Sequence, residues 1–192
     1  MKKVTPKLVI VVIVLLVVLV GYYAYLANKE KAAKEEAAMT AVQEVLLRDM
    51  QYDYPATPKE VVKYYNAILK CFYNEECTNG DIEALGQRAR ELYDAELLEA
   101  NELGPYMIRL REDIEDYKAN DRKIANFAVS ASTNVDFFEE DGFSFARLMC
   151  TYNITESDKS NFTRQVFLLR KDEENHWKIY GWQDAAMLEE NQ

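Results

Sequence analysis

The sequence predicts an α+β fold: an apolar N-terminal transmembrane helix and a helical stalk, then three helices packed on one face of a curved four-stranded antiparallel sheet. Three observations carry this prediction. Residues 8–26 contain no charge, apolar side chains then recur with a period near 3.6 as far as Tyr117, and after Asn120 the period changes to 2. With 192 residues and 49% hydrophobic content, the chain has room for one folded domain and too much apolar side chain for a disordered one.

At a rise of about 1.5 Å per residue, the uncharged segment reaches across about 28 Å, close to the roughly 30 Å of a hydrocarbon core. Lys2, Lys3 and Lys7 precede it, and the first acid is Glu30. This asymmetry predicts an N-terminus in the cytoplasm and a chain that continues outside. Tyr22, Tyr23 and Tyr25 end the span, where rings with polar tips suit the headgroup region. A cleaved signal peptide is the competing reading, but Tyr22 and Tyr25 fill positions where a peptidase prefers small side chains. No Cys occurs before Cys71, which excludes lipid attachment just after the span.

Without the three anchor lysines, 33 acids against 20 bases leave the exported part at −13. Nucleic acid is excluded as a partner on that charge, and a soluble domain held off the membrane is expected.

Residues 28–50 are rich in Ala, Glu and Lys and lack Gly and Pro, so the span is expected to run on as a stalk. Met39, Val42, Leu46 and Met50 share one face, which predicts docking onto the domain that follows. Thr57-Pro58-Lys59-Glu60 reads as a capping box with Pro at the first helical position, opening a helix over residues 58–73 with Val61, Tyr65, Ile68 and Phe72 inward. Asn79-Gly80 reads as a turn. A second helix is expected from Asp81, with Ile82, Leu85, Ala89 and Leu92 inward and a continuation through Leu97 and Leu98. Gly104-Pro105 opens a third, carrying Met107, Ile108, Leu110, Ile114 and Tyr117.

Ala125, Phe127, Val129, Ala131, Thr133 and Val135 alternate along one long expected strand. Residues 143–154, 162–171 and 176–183 are the other three, separated by short polar turns, which predicts an antiparallel meander.

A helical part followed by such a meander, closing on His176-Trp177-Lys178-Ile179-Tyr180-Gly181-Trp182, resembles the nuclear-transport-factor-2-like (cystatin-like) α+β roll over residues 56–184. The segment Tyr54-Pro55-x-Thr57-Pro58-x-Glu60-Val61-Val62-Lys63, with Ala89-Arg90-Glu91-Leu92-Tyr93-Asp94 and Leu169-Arg170-Lys171-Asp172-Glu173, resembles an uncharacterised domain-of-unknown-function family of small, single-anchor bacterial proteins. The roll resemblance implies a conical pocket between helices and sheet. Some members of that superfamily use it for isomerase or dehydratase chemistry, and others for binding or dimerisation.

Candidate chemistry is sparse. His176 is the only histidine and directly follows the polar run 172–175, so a histidine-based catalytic arrangement is not expected. One His and three scattered Cys do not make a metal site, and no cofactor is implied. Cys71 and Cys77 lie close enough in sequence for a disulfide in an oxidising compartment; a buried Cys71 beside an incidental Cys77 is the alternative. Cys150 reads as a small core residue. Asp136 and Asp184 are the acids nearest apolar strand segments, and both read as edge positions. Arg147 shares a strand face with Phe143, Phe145 and Met149, and Arg164 shares one with Phe162, Val166 and Leu168. Inside the fold, these two guanidiniums would form a pocket for a small-molecule anion; over the outer face, they would only extend their stems across the sheet.

The expected organisation is a cytoplasmic tail at 1–7, an anchor in the lipid bilayer at 8–26, a stalk at 27–52, the extracytoplasmic domain at 53–184 and a C-terminal tail at 185–192. The expected role is a non-enzymatic binding or interaction module. Its partner would be another protein or a second copy, with a pocket-type binder or an isomerase-like enzyme on the same fold as alternatives.

Overall fold

The structure is a computed structural model that describes residues 20–23, 25, 39–157 and 159–189. The chain divides into two compact units, residues 1–40 and 41–192. In the first, residues 20–23 and 25 are helical, and the remainder of the expected span 8–26 lies outside the described residues. The same is true of the expected tail at 1–7, most of the stalk and the last three residues. Among the described residues, no helix is long and apolar enough to cross a membrane.

The second unit begins with α1 (Ala41–Leu46), which buries Val42 and Val45. Leu46 and Met50 pack partly buried on the same core, so the expected face docks from Val42 onward, whereas Met39 is exposed. The helix stops well before residue 52 because Asp49 competes for the backbone: its carboxylate accepts from the N–H of Gln51 at 2.9 Å and of Tyr52 at 3.3 Å.

Helix α2 (Pro58–Asn74) starts on the expected box. Glu60 N–H donates to Thr57 Oγ1 at 3.2 Å, and Thr57 N–H donates to the Glu60 carboxylate at 3.0 Å. Val61, Val62, Ile68 and Phe72 are completely enclosed. The next helix, α3 (Asn79–Arg90), begins at Asn79 rather than after an Asn-Gly turn. A second box explains the difference, with Thr78 as the cap and Asp81 returning a bond to the Thr78 N–H at 2.9 Å. The continuation expected through Leu98 is a separate short helix, α4 (Ala95–Ala100), capped by Asp94. Helix α5 (Leu103–Ala119) turns Met107, Leu110 and Ile114 inward, whereas Ile108 is exposed.

The sheet is open and antiparallel, with five strands rather than four: β1 (Arg122–Val129), β2 (Asp136–Glu140), β3 (Phe143–Glu156), β4 (Lys159–Lys171) and β5 (Trp177–Asp184). The single long strand expected over residues 125–135 is divided. β1 pairs with the C-terminal half of β3 and β2 with its N-terminal half, so one rail of the meander is split in two. A 3-10 turn at Ser132–Asn134 makes the break, closed by the Asn134 N–H on Ala131 C=O at 2.8 Å. Ser130 supports it with a side-chain oxygen that accepts from Met149 N–H at 3.3 Å.

β3, β4 and β5 follow in order, and a short helix, α6 (Ala185–Glu189), stands where a plain C-terminal tail is expected. Asp141 and Gly142 both have positive φ, 51° and 82°, which suits the tight β2–β3 turn. The inner face of the sheet, with Ala146, Leu148, Cys150, Tyr152, Phe167, Leu169 and Ile179, packs under the helices in one continuous core. Asn74 ties the end of α2 to β1: its amide donates to Ile124 C=O at 2.9 Å and accepts from Ile124 N–H at 3.0 Å.

Candidate functional site

Between the helices and the inner sheet face lies a cavity of about 500 Å³. Helical spacing supplies one wall: Tyr65, Leu69 and Tyr73 recur every fourth residue on α2, and Tyr106, Leu110 and Tyr117 do the same job on α5. Strand alternation supplies the other, with Tyr152 and Ile154 from β3 and Thr163 and Gln165 from β4. Trp182 reaches it through a bulge. Leu169 pairs with Ile179 but Leu168 pairs with Gly181, so Tyr180 is the extra residue and Trp182 comes to face the helices opposite Phe167.

The lining is therefore a set of aromatic planes carrying hydroxyls. Tyr73 and Tyr117 stack at 4.0 Å between ring centres, and Trp182 lies 5.5 Å from Tyr65 and 5.9 Å from Tyr93. The Tyr65 and Tyr93 hydroxyls share a hydrogen bond of 3.3 Å. Burial raises the phenols of Tyr65, Tyr73, Tyr93, Tyr106 and Tyr152 well above their ordinary value of 10 and that of Tyr117 above it, so all six stay neutral donor–acceptors.

Charged groups stand at the exposed rim on α5. Arg109 donates to Asn101 Oδ1 at 2.9 Å. Arg90 stacks over Tyr106 at 5.5 Å and also donates to Asn101 C=O. Asp113 is exposed, and its carboxyl is raised above the ordinary 3.8, first by partial desolvation and then by Asp116 and Glu112, with Arg109 opposing.

The structure places Arg147 and Arg164 on the opposite face of the sheet, and neither lines this cavity. Even-numbered β3 residues and odd-numbered β4 residues turn inward, so both arginines turn out. Arg147 is exposed, pairs with Asp136 at 2.6 Å and lies over Phe138 at 5.6 Å. Arg164 is exposed beside a small groove with Phe162 and Asp184. Cys71 and Cys77 are free thiols, not a disulfide: Cys77 Sγ donates to Cys71 C=O at 3.3 Å. Burial pushes the Cys71 and Cys150 thiols up to about 11. His176 stacks on Tyr54 at 4.3 Å, away from the cavity. Asp184 caps the start of α6, accepting from Ala186 N–H at 2.9 Å.

Tyr65 and Tyr117 are legible as apolar-face residues, but their spacing does not show that they leave a space. The one available signal is polar residues at inward strand positions, Thr163 and Gln165.

A family model described as Domain of unknown function (DUF6715) matches residues 1–182. The chain belongs to the DUF6715 family. No curated protein matches this DUF6715 chain. Among its described residues, no group of three or more His, Cys, Asp or Glu side chains is placed to hold a metal ion.

Proposed function

We propose that this DUF6715 protein is a membrane-anchored, extracytoplasmic binding module of bacterial origin, built on a nuclear-transport-factor-2-like roll, that holds a small molecule in the tyrosine-lined cavity. The observation that carries the binding role is the cavity itself, about 500 Å³ of space walled by six tyrosines and Trp182, within the size range of ligand pockets. Binding without turnover is supported by the exposure of the acids of the lining, Glu112 and Asp113, which stand at the rim of the cavity. The anchor rests on the uncharged residues 8–26 behind three lysines.

Trp182 is the reporter for the test, because its ring lines the cavity while the only other tryptophan, Trp177, does not. The full chain, labelled with 15N and held in detergent, is titrated with phenol, glucose, benzoate and tetramethylammonium. A saturable shift of the Trp182 indole N–H, with Trp177 unmoved, is expected for at least one. No shift with any of the four chemistries overturns the reading. A reporter fused after Gln192 is expected to be active outside the cytoplasm, and cytoplasmic activity would sink the localisation.

A second reading has its own observation. The outer sheet face exposes Phe143, Met149 and Phe162, the last at 74%, an apolar surface suited to a protein partner or a second copy. A concentration-dependent sedimentation coefficient that Phe162→Asp abolishes would favour it.

A further inference from the structure

All the charge on the cavity lining comes from α5. Tyr106, Arg109, Asp113 and Tyr117 recur there at helical spacing and form one stripe, with Glu112 beside it. Only the cation of this set is engaged: Arg109 donates to Asn101 Oδ1 at 2.9 Å, while neither Glu112 nor Asp113 forms an ion pair among the described residues. The nearby Arg122 is already held by Asp116 at 2.8 Å and Glu156 at 3.1 Å. Two acids therefore stand against one base on the lining. Both acids are exposed, so a ligand arriving from solvent meets them first.

The aromatic wall attracts the same sign of charge. A ring is negative on its face, and two rings of this cavity already carry protein cations, Arg90 over Tyr106 at 5.5 Å and Arg122 over Tyr117 at 5.9 Å. Trp182 carries none among the described residues and is 38% exposed, so the indole, the strongest platform of the aromatic side chains, keeps open surface.

The kind of cation is restricted as well. A metal ion would need several ligating side chains together, and no group of three or more His, Cys, Asp or Glu is so placed among the described residues. An alkylated ammonium needs no such set, because it sheds water readily and spreads its charge over methyl groups that pack on a ring.

We propose that the cavity selects an organic cation, an alkylated ammonium group that rests on Trp182 with Glu112 and Asp113 as its counter-charges. The inference rests on the cavity being a ligand site, and it adds the class of ligand.

The test compares choline with neohexyl alcohol, which has the same shape with a carbon in place of the charged nitrogen. Trp182 indole shifts are read on the full chain in an uncharged maltoside detergent, for wild type and for the double substitution Glu112→Gln and Asp113→Asn, which keeps the size of both exposed side chains. Choline is expected to bind wild type about tenfold more tightly than the alcohol, and the double variant is expected to weaken choline about threefold while leaving the alcohol unchanged. A choline affinity no better than that of the alcohol, tighter binding of benzoate than of choline, or a choline affinity that the double variant leaves intact overturns the inference while leaving the cavity a binding site. If none of these compounds moves Trp182, phenol and glucose included, both readings fall together.

Discussion

Replacing Asp94 by Asn should test how the helical layer is locked to the sheet. Asp94 is 5% exposed at its side chain and receives a two-pronged bond from Arg170, Nη2 to Oδ1 at 2.5 Å and Nε to Oδ2 at 3.0 Å. Arg170, 12% exposed, also reaches Glu96 at 2.8 Å and lies over the Phe143 and Tyr180 rings at 4.8 Å each. Asparagine keeps the shape of Asp94 and, with its oxygen at the Oδ1 position, the cap of α4, but it removes the charge and sets an NH2 donor against Arg170 Nε. Taking one partner from a buried pair costs about 3–5 kcal/mol, and the surviving Glu96 contact reduces that to about 2–3 kcal/mol here. For a domain of this size, about 2–4 °C of Tm follows each kcal/mol, so thermal unfolding followed by circular dichroism should drop by about 4–12 °C. Asp94→Ala should fall a further ~1 kcal/mol because the cap is lost too. A loss under ~0.5 kcal/mol for Asp94→Asn would refute the claim that this pair holds α4 against β4.

Three further outcomes are expected. Tyr152→Phe should raise stability by about 1 kcal/mol in chemical denaturation without ligand, since it deletes an unpaired buried hydroxyl; a loss would show that the hydroxyl is bonded in solution. Glu96 is held below its ordinary 4.5 by hydrogen bonds from Arg170 and then Tyr180, so its contribution is complete above that value and is lost as pH falls through the lowered one. A Glu96→Gln variant should therefore show a flatter acid limb of the stability–pH curve, and an unchanged limb would refute the assignment. In native protein at pH 8, Cys77 should react with a thiol reagent well before Cys71 and Cys150, whose thiols burial pushes up to about 11; equal rates would contradict the packing.

How far the sequence could be read depends on whether a feature is local. The Thr57–Glu60 box, its Pro58 and the face of Val61, Tyr65, Ile68 and Phe72 are written within one helical turn or one period, and the structure repeats them. The second box at Thr78 and Asp81 is equally local but is masked by an Asn-Gly pair that looks like a turn. The break at Ser132–Asn134 is harder to see, because alternation continues through Val135 while a backbone turn, closed by the Asn134 N–H on Ala131 C=O, ends the strand. The cavity is a tertiary property. Strict alternation from Trp177 and Ile179 turns Gly181 in and Trp182 out, and only the bulge at Tyr180 reverses them. Pattern alone also left the direction of Arg147 and Arg164 open, because a strand with large apolar residues on both faces does not declare which one the helices cover.

The bridge between Tyr93 and Ile179 has a consequence for assembly. Ile179 donates to Leu92 C=O at 2.7 Å and accepts from Asp94 N–H at 2.9 Å, and the nearby Trp177 C=O accepts from the Tyr54 hydroxyl at 2.9 Å. These contacts occupy the free side of β5 that an incoming strand would need, and on the far side the interruption between β1 and β2 shortens the template. Both margins of the sheet are thus reduced as seeds for amyloid-like growth, β5 at its Trp177–Ile179 end and the opposite margin by its interruption.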